Sequence, residues 1–131
     1  MKKISVLSIF IVLLWQSTGI AYDTERAMNN FAHELADCAA FYMLSSKAPG
    51  LDESTSKKLL DGGLVFSELS AKFTNEKLAL ARFELAVESM GREMENNWSN
   101  FSILLNKYGY PCKDLLENPE AKLQHWLNKK D

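Results

Sequence analysis

From Met28 onward, apolar side chains recur at gaps of three, four, three and four residues, through Phe31, Leu35 and Cys38 to Tyr42. Only a helix gathers such positions on one face, because 3.6 residues complete a turn. Ala27, Ala32, Ala36, Ala39 and Met43 widen the stripe beyond a two-helix seam, so this helix is expected deep in a bundle, with neighbours approaching closely. It reads as running from Tyr22 to Lys47, with Asp23 as its N-cap and Ala48-Pro49-Gly50 as its end.

The same period continues downstream. Leu51 to Thr55 offers several capping residues, and a second helix is expected to reach about Phe73, with Leu59, Phe66, Leu69 and Phe73 on one face. Gly62-Gly63 interrupts it; two glycines cost a helix roughly 2 kcal/mol against alanine, so they mark either a break or a close crossing. After the cap residues Thr74 and Asn75, a third pattern runs through Leu80, Phe83, Val87, Met90 and Met94. It either continues through Trp98, Phe101, Leu104, Leu105 and Tyr108 to a C-cap at Gly109, or kinks near Gly91 or Asn97. Pro111-Cys112 is expected to form a turn and Asp114 to Glu117 one helical turn. Asn118-Pro119 then caps a last short helix carrying Leu123, Trp126 and Leu127. No segment alternates with a sustained period of two, so the expected fold is all-α: a single small bundle of about four helices over 22–131.

What precedes the bundle has a different character. Met1-Lys2-Lys3 is a short basic start, Ile4 to Trp15 is almost unbroken apolar residues, and Gly19-Ile20-Ala21 closes the stretch with small side chains. That is the order of a cleavable signal peptide covering residues 1–21, with the mature chain starting at Tyr22. A membrane anchor would need ~20 apolar residues, more than this run supplies. The expected location is therefore the periplasm of a bacterium or the medium outside. Cys38 and Cys112, the two cysteines of the chain, fit that address, because an oxidising compartment lets an isolated pair bridge. Closing so long a loop is worth ~4 kcal/mol in the chain-entropy model.

Charge and ligand chemistry narrow the function. Without Lys2 and Lys3 the chain has 13 basic against 17 acidic residues, a net charge of −4, which disfavours nucleic acid as a partner. The cysteine spacing does not match c-type haem attachment or a zinc cluster, and no Glu-x-x-His pair of a di-iron bundle occurs, so no metal or cofactor is expected. Glu84, Glu88 and Glu95, interspersed with Arg82 and Arg92, read as a solvated face. Asn97-Trp98-Ser99 and Asn100-Phe101-Ser102 match the glycosylation acceptor pattern, which a bacterial chain does not use.

Two functional readings remain, with a third behind them. Aromatic residues exceed what a small core needs, and Trp98, Tyr108, Tyr110 and Trp126 are candidate interface residues for another protein. The expectation is an exported binding protein without catalysis, such as an inhibitor, immunity factor or accessory subunit. The alternative is a small hydrolase centred on His33 and Asp37, which stand four residues apart and share a helix face. The third is a peripheral membrane protein using the C-terminal helix, whose basic residues Lys122, Lys129 and Lys130 would face an anionic surface.

Overall fold

A computed structural model describes the backbone over residues 6–129 and side chains over 23–129. The side chains of the leader expected at 1–21, and its cleavage point after Ala21, lie outside the described residues. The described chain is helical with no strand: α1 (Val6–Ser45), α2 (Glu53–Phe73), α3 (Glu76–Glu93), α4 (98–117) and α5 (Pro119–Asn128). Five helices thus replace the expected four. Asp23 lies inside α1 rather than capping it, because the helix extends N-terminal of that position; its carboxylate is 3.9 Å from Arg26.

α1 is the central element and packs against α2, α3 and α5. Its small residues make this possible: Ala32, Ala36, Ala39 and Ala40 are all fully or almost fully buried. Gly62 and Gly63 do not break α2. They lie where it crosses α1, and a methyl group built on Gly63 would come within 3.2 Å of the Ala39 carbonyl oxygen. Ser70, also buried, donates its hydroxyl to the Ala32 carbonyl at 2.8 Å, satisfying a polar group that burial would otherwise penalise.

The caps follow local chemistry. Asp52 accepts from the Thr55 backbone N–H at 2.8 Å and starts α2, while Asn75 accepts from the Leu78 N–H at 2.9 Å and starts α3 after a two-residue link. The third helix does not continue to Tyr108. Glu95 and Asn96 adopt positive φ of 54° and 51°, the Asn96 N–H reaches back to the Gly91 carbonyl at 2.8 Å, and the helix ends there. Asn97 then caps the next turn by accepting from the Ser99 N–H at 3.0 Å.

α4 departs most from the sequence reading. Gly109 is not a C-cap and Pro111-Cys112 is not a turn: residues 98–117 form one helical segment with a π turn at Leu105–Gly109. A proline inside a helix lacks an N–H and crowds the carbonyl four residues earlier, that of Lys107, and a wider π turn relieves both problems. The turn also sets register. Leu104 and Cys112 would lie about 80° apart around an ordinary α-helix. The added residue in the turn reduces that drift, and Leu104, Cys112 and Leu115 are all buried.

The bridge Cys38–Cys112 closes the bundle as expected, with Cα atoms 5.3 Å apart at a sequence separation of 74. Around it Phe31, Leu35, Phe41, Phe66, Met90 and Leu104 form the core, and Phe41 stacks on Phe101 and Tyr108. Leu80 and Met28, counted in the apolar stripes, are exposed at 56% and 36%. On α3 the neighbouring Ala79 and Ala86, with Met90, take the inward positions instead. Asn118 precedes α5, with Pro119 at its first position, but its side chain makes no capping bond and donates to Asp114 instead, at 3.1 Å.

Candidate functional site

The outer side of α1 bears His33, Glu34 and Asp37, and there the helix faces α3 and the middle of α4 across a polar cleft of about 360 Å³. α3 contributes Arg82, Leu85, Ser89, Arg92 and Glu93, and the π turn of α4 contributes Lys107 and Tyr108. Asp37, Lys107 and Tyr108 also border a second hollow of about 220 Å³, which runs on to Glu34, Lys122 and the disulfide. The π turn is therefore the wall shared by both spaces.

Glu93 organises the wall. One carboxylate oxygen accepts from the Lys107 ammonium at 2.9 Å and the other from the Tyr108 hydroxyl at 2.7 Å, joining α3 to α4. Burial alone would raise the Glu93 titration, but the bonds from Lys107 and Tyr108 outweigh it and hold the carboxyl below its usual range. The same contact raises Lys107, through its bond to Glu93 above all. Tyr108 is raised first by burial and then by its bond to Glu93.

His33 and Asp37 do share a face, with Nε2 and Oδ2 3.7 Å apart, too far for a hydrogen bond that would fix the imidazole. The histidine is 58% exposed and the aspartate side chain 34%. Asp37 is raised chiefly by burial, against which the nearby His33 acts to lower it; Glu34 and Glu93 add to the rise and Lys107 opposes it. Glu34 has one oxygen buried without a hydrogen-bond partner, as does the indole nitrogen of Trp126.

Of the four aromatic candidates, Tyr110 is open, at 78% exposure. Trp98, Tyr108 and Trp126 are half-buried and lean on the core, so they serve packing as well as any surface. Glu88 and Arg92 form an exposed pair at 2.6 Å, in keeping with a solvated face. Among the described residues no three His, Cys, Asp or Glu side chains are grouped to hold a metal, and no helix is long and apolar enough to cross a membrane. The acceptor residue Asn97 is exposed, while Asn100 donates its amide to the Met94 carbonyl at 3.2 Å.

Arg82, Ser89, Glu93 and Lys107 were not legible as site residues. Each is an ordinary polar residue on a helix, and nothing local in sequence places Glu93 beside residues 107 and 108 across a chain reversal. No protein-family model, no curated protein and no solved structure matches this chain.

Proposed function

We propose that this chain is an exported helical binding protein that acts on another protein as an inhibitor, immunity factor or accessory subunit, without catalysis, in the periplasm or outside the cell. The observation that carries the reading is the Glu93–Lys107–Tyr108 contact. Its two bonds fix a carboxylate, an ammonium and a phenol hydroxyl as one unit on the wall of the cleft. Such a cleft offers fixed donors and acceptors for recognition, held on helices and braced by a disulfide. Export is supported by the order of residues 1–21 and by the bridge, which an oxidising compartment maintains.

The hydrolase reading keeps one observation in its favour, since His33, Asp37 and Ser89 open on the same cleft. The membrane reading is weakened because α5 packs Leu123 and Trp126 on the bundle, leaving it little apolar surface for lipid. Photo-crosslinkers placed at Tyr110 and Leu85 in the native host test the binding reading: a discrete protein adduct at stoichiometric yield supports it. A His33→Ala chain that still crosslinks but loses its biological effect would transfer the function to the hydrolase reading. Mass spectrometry of the native protein should find a first residue at or near Tyr22; an intact Met1 in the membrane fraction would remove the export claim.

A further inference from the structure

α5 is held to the bundle less firmly than any other helix. α1, α2, α3 and α4 each contain fully buried residues, whereas α5 contains none and rests on the core through the half-buried Leu123 and Trp126. Among the described residues no hydrogen bond or ion pair joins α5 to another helix; the Asn118 bond to Asp114, at 3.1 Å, precedes it. The helix is also undercut at both ends. A hollow of about 430 Å³ is lined by Ala27 and Asn30 of α1 and by Trp126 to Lys129, and the 220 Å³ hollow beside the bridge reaches Lys122. Side chains bordering such spaces forgo the close contacts that hold the rest of the core.

Closure of α5 carries a polar cost as well. Among the described residues the buried side-chain polar atoms without a hydrogen-bond partner are the Trp126 indole nitrogen and one Glu34 carboxylate oxygen. Trp126 belongs to α5, and Glu34 borders the hollow that Lys122 of α5 closes. Each group gives up its hydration and receives no bond in exchange, so opening returns free energy that closure spends. Once undocked, a 10-residue helix without a side-chain cap does not hold its shape alone. The joint is well defined. Cys112 is bridged to Cys38 and Leu115 is buried, so α4 is fixed up to three residues before Asn118, which leaves the helical region at φ −132° and ψ 55°. We infer that α5 is a strap that opens as one unit about Asn118 while the bridge keeps α1 and α4 together, uncovering α1 from Ala27 to Glu34 and joining the two hollows into one trough. This is a property of the fold and stands apart from the binding reading above.

The test is native-state hydrogen exchange of the processed, disulfide-bonded chain, followed by NMR from zero to low urea. After correction for intrinsic rates, the amides of 123–128 should exchange as one set with one shared urea slope, about 100-fold faster than those of Leu35 and Phe66. The Trp126 indole N–H, sealed from water while α5 is closed, should exchange with that set, whereas the amides of Leu115 and Leu116 stay with the slow core. Leu123→Ala removes one of the two apolar anchors and should speed the 123–128 set about tenfold, with the core signals retained. A fraying end gives a different pattern, with rates that climb residue by residue toward 128 and ignore urea, and that pattern overturns the strap. So would an α5 as slow as Leu35, an α5 without protection, an indole N–H that exchanges apart from the set, Leu115 and Leu116 opening together with α5, or a 123–128 set indifferent to Leu123→Ala. The measurement on the unmodified chain decides the matter even if the variant does not fold.

Discussion

Gly63→Ala probes the contact on which the fold turns. In an isolated helix the change favours folding by about 1 kcal/mol, because alanine restricts the unfolded chain more than glycine does. In this bundle the added carbon would lie 2.9 Å from Met43 Cγ, 3.2 Å from Met43 Sδ and 3.2 Å from the Ala39 carbonyl oxygen. Met43 has rotatable bonds and can move aside. The Ala39 carbonyl belongs to the middle of α1 and cannot move without displacing the helix, and overpacking of this kind costs about 1–3 kcal/mol. The net expectation is a loss of about 1 kcal/mol, or a fall in melting midpoint of roughly 4 °C. Gly109→Ala supplies the control, since nothing lies within 4 Å of its would-be side chain and its backbone is helical at φ −57° and ψ −57°. That variant should gain about 0.5–1 kcal/mol. Urea and thermal unfolding followed by far-UV circular dichroism would compare the two. A Gly63→Ala protein as stable as the parent, with Gly109→Ala raised as expected, would refute the crossing of α2 on α1.

Other perturbations address the bridge and the cleft. Reduction, or Cys38→Ser with Cys112→Ser, removes a constraint spanning 74 residues, worth about 4.4 kcal/mol in the chain-entropy model, and should lower the urea midpoint with little loss of helix at low temperature; an unchanged midpoint would mean that the bridge is not formed. Tyr108→Phe deletes the 2.7 Å hydrogen bond to Glu93, whose side chain retains 22% exposure, and should cost about 1 kcal/mol in unfolding experiments. Glu93 has a lowered folded-state pKa, so its contribution is present above the unfolded carboxylate value and lost as pH falls through the folded one; Glu93→Gln should therefore flatten the acid side of a stability–pH profile. Asp37 runs the other way: its raised pKa makes ionisation a cost in the folded state, so Asp37→Asn should raise the melting midpoint at pH 7 and lose that advantage once the pH falls below the unfolded carboxylate range.

Fold class was available in the sequence because a helix announces itself through local spacing: Phe31, Leu35, Cys38 and Tyr42 fall on one face whatever surrounds them. That caps fall within 51–55 and at 74–75 was readable for the same reason; the side chains that make the bonds, Asp52 and Asn75, each reach a backbone group three residues away. The cysteine pair was readable by elimination, since two cysteines allow one bridge. What depended on more distant partners was not. Glycines at 62 and 63 signal a break or a crossing equally well, and only the presence of Ala39 and Tyr42 beside them made it a crossing. Pro111 looked like a turn because local rules say so; a π turn and the burial of Cys112 and Leu115 against α1 kept it helical. The cleft is the plainest case. His33 and Asp37 are neighbours on one helix and were visible together, but Arg82, Glu93, Lys107 and Tyr108 come from other helices, and their meeting depends on packing angles that no local spacing encodes.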